Sequence, residues 1–305
     1  MNQYRRRSIL RCILLSLAYP LRLSAQQRDK PGQSENRDTS TVADVTFEQA
    51  FAGVQQKAID YHRKIGYHPV DRKPLLTGHP FNGGLRYDES GTLKEAPNQA
   101  MIVQDCARIA DITERERHDI LPYFHIFGCN WRNYTDRAQI IGDALAFLNG
   151  PVGLTPQRLA LVSVEALASY RDVLAEHDID WRRQVVIRNT EEAKAAGDGS
   201  GFFRPENHPE QPAFSCMGIY AWLGEGDAPA VQSYPLPTQW TEIGELVLDP
   251  GAEVAYAFGL ERLVYVTTSL WPSWHDRRKQ LLTRVETEVA ASGEAFPEGY
   301  YLFKG

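Results

Sequence analysis

The strongest chemical signal in the sequence is the heptapeptide at 257–263, which reads AFGLERL. The preceding residues 252–256 predict a strand, and the residues after the glycine predict a helix. Arg262 would then lie in the first helical turn, beside backbone N–H groups that favour an anion. Gly259 would let a ligand approach the backbone closely. The pattern predicts an anion site, with a helix carrying an ordinary surface Glu–Arg pair as the alternative.

Apolar periodicity predicts the elements that would position this site. Helices are expected over 47–65, 135–148, 166–177, 258–270 and 277–291. Strands are expected over 101–109, 122–129, 159–164, 185–188, 217–223, 242–248 and 252–256, whereas 189–210 is expected to be a loop. The first two strands and the charged loop between them would form a hairpin with a long tip. Strands clustered between outer helices indicate an α+β domain.

Composition narrows the classes of function. The chain has 305 residues and a formal net charge of -6, which suits one globular domain with flanking segments. Proteins built to hold nucleic acid usually carry a basic field, so the charge weakens any interpretation that needs extensive tRNA or DNA contact. The four cysteines form no closely spaced pair, which argues against a structural zinc site and suits a reducing compartment. They are Cys12, Cys106, Cys129 and Cys216.

The first 44 residues are expected to be a disordered or targeting-like leader. Residues 1–28 contain six arginines and no acid, with a short apolar stretch over 9–21. A secretory signal, an organelle presequence and a start codon assigned too early all remain open. The apolar stretch is too short to span a membrane. Residues 26–44 are polar and predict a disordered linker.

The heptapeptide resembles motif 3 of class II aminoacyl-tRNA synthetases, whose arginine contacts the γ-phosphate of ATP; Arg262 and Gly259 match that motif. Residues 104–108 and 123–128 are similar to motif 2, in which an arginine holds the α-phosphate and the acyl carboxylate and a phenylalanine stacks on adenine. Arg108 and Phe124 match those positions, with core packing as the alternative for Phe124. The intervening loop adds three cations that either reach the phosphates or stay in solvent, namely Arg115, Arg117 and His118.

The order of shorter segments resembles the alanyl branch of that class. The segments at 65–70, 73–76, 98–101 and 104–108 follow one another as in the opening of alanyl-tRNA synthetases, and the resemblance extends over roughly residues 47–275. The phenylalanyl or histidyl type is a weaker fit. The resemblance implies an antiparallel sheet flanked by helices. We therefore expect a catalytic domain over 45–275 and a C-terminal helical tail over 276–305.

Three departures concern the pocket that would hold the amino acid. The aspartate that binds the substrate ammonium in the alanyl family falls on Ala255, the family's asparagine falls on Glu245, and its strand glutamate falls on Gly218. An ammonium in a dry pocket needs a carboxylate partner. Glu245 is therefore expected to supply that charge to an amino acid other than alanine. Glu242 matches a family glutamate that holds Mg²⁺ with the phosphates.

The resemblance implies ATP, Mg²⁺ and an amino acid as ligands, and an aminoacyl-adenylate as product. The chain stops about 40 residues after motif 3, so the tRNA-binding and editing modules of the family are expected to be absent. A ligase that passes the acyl group to a carrier protein or small molecule is the favoured hypothesis. A minimal tRNA ligase and a non-catalytic regulator remain as alternatives. The need for ATP favours the cytoplasm over export, no membrane association is expected, and class II domains usually form homodimers.

Overall fold

The computed structural model describes residues 45–72, 75, 98–107, 120–131, 135–203, 213–250, 252, 254–293 and 295. They fall in one compact unit, residues 44–305. The expected leader lies outside the described residues. So do four of the predicted site residues, Arg108, Arg115, Arg117 and His118.

A central sheet organises the described chain. Eight strands lie in the order β1-β2-β3-β9-β8-β7-β4-β5, and the short β6 pairs with β7 beside them. The pairs from β2 to β4 are antiparallel, whereas β1 with β2 and β4 with β5 are parallel. The strands are β1 His68–Pro69, β2 Gln99–Ala107, β3 Tyr123–Trp131, β4 Leu159–Ser163, β5 Val185–Ile187, β6 Phe202–Phe203, β7 Phe214–Trp222, β8 Trp240–Val247 and β9 Val254–Gly259.

Helices cover one face of this sheet, here called the helix face. Large apolar side chains of the central strands, such as Phe127, Ile219 and Phe258, pack there in one buried cluster with residues of α1, α2 and α6. The helices are α1 Phe47–Lys64, α2 Arg137–Phe147, α3 Arg171–Glu176, α4 Trp181–Gln184, α5 Thr190–Ala196, α6 Leu260–Thr268 and α7 Trp274–Ser292. The predicted α+β architecture, with an antiparallel sheet flanked by helices, is confirmed.

Local signals explain where the main helices begin. Thr46 and Gln49 form a reciprocal capping box at the start of α1, with the Gln49 amide donating to Thr46 Oγ1 at 3.3 Å. Asp136 and Ser273 cap α2 and α7 in the same manner, by accepting from backbone amides three residues later. Among the described residues, no helix is long and apolar enough to cross a membrane.

The prediction that residues 189–210 form a loop was wrong at 190–196, which form helix α5, and at 202–203, which form strand β6. The side chain of Asn189 accepts from the amides of Glu191 and Glu192 and starts α5, which ends at the left-handed Gly197. The glycines that follow led to the prediction, because they are typical of loops. The helix has only seven residues, which is too short to show a clear apolar period. Residues 204–210 lie outside the described part.

A buried hydrogen-bonded histidine ties α1 to the sheet. His62 is fully buried; its Nδ1 lies 2.7 Å from the Ala58 carbonyl and its Nε2 lies 2.7 Å from the Tyr256 hydroxyl. A carbonyl only accepts, so Nδ1 carries the hydrogen and Nε2 accepts from Tyr256. Burial lowers the pKa of His62 from 6.5 to about 4, against the opposing effect of the Ala58 carbonyl. The ring is therefore neutral in the folded protein near neutral pH.

This histidine should make the fold sensitive to acid. Between pH 6.5 and about 4 the unfolded chain protonates this ring and the folded chain does not, so stability is full above pH 6.5 and falls as the pH decreases. We expect the difference in unfolding free energy between wild type and His62→Gln to shrink by roughly 3 kcal/mol across that window. Urea unfolding at several pH values measures this difference. The exposed His68 provides the control, and a His62→Gln difference that stays constant with pH would contradict the prediction.

Candidate functional site

The β9–α6 junction presents an arginine at a helix N-terminus, as the heptapeptide predicts. Gly259 is the N-cap residue and Arg262 lies in the first turn of α6. Arg262 Nη1 donates to the Glu242 carbonyl at 2.9 Å and to Glu242 Oε2 at 3.3 Å. Both side chains are about 30% exposed (31% and 29%), so the pair is reachable from solvent. The structure thus brings together two of the predicted site residues, Glu242 from strand β8 and Arg262 from helix α6.

The residue before this arginine faces the opposite side of the sheet. Glu261 is 1% exposed and accepts from the His125 amide at 2.9 Å and from His125 Nδ1 at 2.8 Å. Arg277 of α7 adds an ion pair, with Nη2 at 3.2 Å from Glu261 Oε1 but without hydrogen-bond alignment. Its guanidinium also lies over the rings of Phe47 and Phe51. Glu261 therefore anchors the first turn of α6 while Arg262 stays accessible.

The glycine at the junction is not required by the protein itself. Gly259 has φ −75°, which any residue adopts. A Cβ added there would meet only the Arg262 side chain, at 3.5 Å or more, which is ordinary van der Waals contact. Apart from the preference of N-cap positions for glycine over alanine, no contact with the described residues requires glycine here.

A row of small residues with one acid crosses the second face of the sheet, opposite the helices. Gly128 pairs with Ala257, Ala257 with Glu245, and Glu245 with Gly218, on strands β3, β9, β8 and β7. Directly paired residues share a face of the sheet, so Glu245 stands between small neighbours. We call these four residues the small-residue row. Glu245 and Ala257 are partly exposed, so solvent reaches this part of the second face, which we call the recess.

The segment 198–201 lies over the β7 end of this row. A Cβ on Gly199 would stand 2.6 Å from Glu245 Oε2 and 3.5 Å from Glu242 Oε1. A Cβ on Gly218 would stand 3.0 Å from Ser200 Oγ and 3.4 Å from the Gly199 carbonyl. The segment therefore touches both the glutamate and the glycine of the row.

Negative charge accumulates around this recess. Cys216 lies beneath the segment, and burial together with Glu245, Glu242 and Asp198 raises the pKa of its thiol. Burial and Glu242 likewise raise the pKa of the Tyr220 hydroxyl. The thiol and the hydroxyl therefore stay protonated, and the thiol donates to the Gly199 carbonyl.

The other residues that the sequence predicts for the site do not all lie near Glu245 and Arg262. Gly218 and Glu245 are directly paired, as described. Ala255 is fully buried in the main apolar cluster and is not part of the row, where Ala257 stands beside the glutamate instead. Phe124 is partly exposed and pairs with Cys106, two positions along β3 from the residue that pairs with Gly259. The distance between Arg108 and Arg262 cannot be described, because Arg108 lies outside the described residues.

Sequence reasoning missed Gly199, Ser200 and Ala257. A signal for the first two was present, since residues 197–201 read GDGSG, and such a run marks a site where backbone approaches another group closely. Ala257 was hidden because its role depends on the register between β8 and β9, which is a tertiary property.

The carboxylates suit magnesium only in one binding mode. Among the described residues, no group of three or more histidine, cysteine, aspartate or glutamate side chains is arranged to hold a metal ion. Mg²⁺ is often bound by one or two carboxylates together with the phosphates of a substrate. Glu242 fits that mode because its carboxylate is partly exposed beside Arg262.

Comparisons with known proteins find likeness only at the level of solved structures. No protein-family model and no curated protein matches the chain. An apo histidyl-tRNA synthetase from S. aureus is similar at 10% identity and a TM-score of 0.40, covering 75% of this chain and 70% of that one. An asparaginyl-tRNA synthetase from Pyrococcus horikoshii complexed with asparaginyl-adenylate is similar at 14% identity and a TM-score of 0.32, covering 73% and 66%. Both are class II enzymes.

These identities and scores are too low to carry a substrate or a reaction over to this chain. The alanyl branch stays a prediction from the sequence motifs. Any function has to be argued from the geometry of the recess itself.

The buried contact between Glu261 and Arg277 should be energetically important. Removing one partner of a buried pair leaves the other charge unpaired, so we expect Glu261→Gln to lower the unfolding free energy by about 3 kcal/mol. Adding Arg277→Met to that variant should cost much less than Arg277→Met alone. Urea unfolding of the four proteins measures both effects. The control is Arg63→Ala in the exposed pair with Asp60, expected to cost under about 1 kcal/mol; additive costs for Glu261 and Arg277 would refute the coupling.

Proposed function

We propose that this chain uses ATP to activate the carboxylate of an amino acid as an aminoacyl-adenylate. The observation that carries the proposal is Glu245, a carboxylate set among small residues and next to the strand that leads into Arg262. A recess with an acid at one end and an arginine at a helix N-terminus at the other fits a ligand with an ammonium and a phosphate.

Glu245 would bind the substrate ammonium. Ala257, which is small and partly exposed, leaves room for a small ligand to lie against the sheet beside this glutamate. A charged ammonium that leaves water needs such a partner, because an unpaired charge is costly to bury. With its ammonium bound to Glu245, the amino acid would direct its own carboxylate along the second face of the sheet toward β9 and α6.

Arg262 would bind the terminal phosphates of ATP, where the helix N-terminus adds partial positive charge. From the resemblance, Arg108 would neutralise the α-phosphate and the substrate carboxylate, and Phe124 would stack on adenine. Arg115, Arg117 and His118 would add contacts to the phosphates. In the reaction, a carboxylate oxygen attacks the α-phosphorus, the bond to the bridging oxygen breaks, and pyrophosphate leaves. Fixed guanidinium groups lower the barrier by neutralising anions that approach each other.

Glu242 would hold Mg²⁺ together with the phosphates, and the ion would supply charge neutralisation for the leaving pyrophosphate. The same glutamate contacts Arg262 at 3.3 Å. A phosphate at Arg262 would therefore compete with Glu242 for the guanidinium, and a cation on the carboxylate would ease that exchange.

We propose a carrier protein or a small molecule as the acyl acceptor, because the net charge of -6 offers little attraction for tRNA. The alanyl-like subtype, the homodimer and the cytoplasmic location belong to the same proposal. A minimal tRNA ligase remains as the alternative, and total tRNA offered as acceptor after the exchange assay distinguishes the two.

Pyrophosphate exchange tests the proposal directly. We expect amino-acid-dependent exchange of labelled pyrophosphate into ATP, and a loss of at least about 100-fold in kcat/KM for the amino acid in Glu245→Gln, since the ammonium loses a charged partner. KM for ATP should change little. Exchange that is absent with every amino acid would refute the proposed activity. Full exchange in Glu245→Gln would refute the role of this glutamate.

The glycine at the junction gives a second test. Because a Cβ at Gly259 meets nothing closer than 3.5 Å, Gly259→Ala should fold and lose at most about 1 kcal/mol of stability, since alanine is a poorer N-cap residue than glycine. If ATP lies against this backbone, the same variant should raise KM for ATP by tenfold or more, on the order of 1.4 kcal/mol of lost binding. Thermal unfolding and ATP titration in the exchange assay measure the two properties. An unchanged KM would show that the nucleotide does not approach Gly259.

A further inference from the structure

The segment 198–201 is bound to the second face of the sheet by several independent contacts. Cys216 Sγ donates to the Gly199 carbonyl at 2.9 Å, and the hydroxyls of Ser200 and Tyr220 lie 2.6 Å apart. Arg188 donates to the Ser200 carbonyl and to Asp198 Oδ1. Ser200 is fully buried, so the segment is part of the packed structure.

Two glycines allow this close packing. Gly199 has φ +81°, a conformation that other residues rarely adopt, and a Cβ there would collide with Glu245 Oε2 at 2.6 Å. Gly218 lies directly below, where a Cβ would crowd Ser200 Oγ at 3.0 Å and Tyr220 Cε2 at 3.2 Å. The space over Gly218 is therefore filled by protein atoms.

We propose that Gly199 and Ser200 are specificity-determining residues that restrict the amino-acid site to small, non-acidic side chains. This inference rests on the proposed function. With the β7 side closed, a substrate held by Glu245 would lie over the partly exposed Ala257, toward Arg262. Its side chain is confined between the segment and that arginine.

The charge around the site narrows the substrate class further. A Cβ on Gly199 would lie 2.6 Å from Glu245 Oε2 and 3.5 Å from Glu242 Oε1, and Asp198 is the preceding residue, so three carboxylates flank this glycine. Arg188 and Arg262 each contact one of them. An acidic side chain would bring a fourth carboxylate into this region and is disfavoured. Glycine or serine would fit, and so would alanine, in contrast to the expectation from the sequence.

Two variants test the inference in opposite directions. Ser200→Gly removes the atoms above Gly218, and we expect it to raise the ratio of leucine to alanine exchange, as kcat/KM, about tenfold, since one methylene in a pocket has an effect of that order. Gly218→Ala should push Ser200 toward the substrate and raise KM for alanine several-fold, with KM for ATP unchanged. The double variant should recover part of that loss, because Ser200 Oγ is the closest atom to the added Cβ.

Gly53→Ala is the matched control, since a Cβ at that helical position has no atom within 4 Å. The assay uses the full chain and labelled pyrophosphate with glycine, alanine, serine, leucine and aspartate, and thermal unfolding confirms that each variant folds. Wild-type preference for the small residues, together with the altered ratio in Ser200→Gly, supports the inference. Exchange with an unchanged ratio in a folded Ser200→Gly overturns the inference alone. No exchange in the wild type overturns the proposed function and the inference with it.

Discussion

The first turn of α6 is the constraint on which the site depends. Two adjacent charged residues leave this turn in opposite directions, because residues one apart on a helix do not share a face. Glu261 is buried against His125 and Arg277, whereas Arg262 reaches Glu242 on the second face. The contacts of Glu261 fix the position of the helix end. Arg262 is held in place by the same turn while its guanidinium stays accessible to solvent. An arginine on a loose turn would lose part of its binding energy to the entropy of ordering.

For the amino-acid substrate that we propose, the order of charges across the second face would favour a zwitterion over a neutral ligand. The carboxylate of Glu245 lies on β8 beside small residues, and the guanidinium of Arg262 extends from the end of β9. An amino acid offers an ammonium for the first and, when joined to ATP, a phosphate for the second. Cys216 and Tyr220 stay protonated in this field and add no charge. The recess therefore matches a ligand that is positive at one end and negative at the other.

The sequence predicted the α+β architecture, most strands and a strand-to-helix junction with Arg262 in the first helical turn, because each depends on local periodicity or on a few adjacent residues. Through a resemblance it also assigned Glu245 and Gly218 to one pocket, and the structure pairs these two residues directly. The sequence did not predict features that depend on the register between β8 and β9 or on the segment 198–201 packing against β7. Ala257 rather than Ala255 stands beside Glu245 because the register between β8 and β9 pairs Glu245 with Ala257. The helix α5 and the segment after it were missed because their structure is set by contacts with β7.

The two faces of the same strands differ in a way that core packing alone does not explain. Along β3 and β9, Phe127 pairs with Phe258 on the helix face, and the next pair, Gly128 with Ala257, lies on the second face. A buried surface that only had to pack would use large side chains on both faces, since each buried methylene contributes about 0.8 kcal/mol. Small residues forgo that stabilisation. They are expected where another molecule has to lie close to the backbone, and Glu245 in their midst gives that molecule a charge to bind.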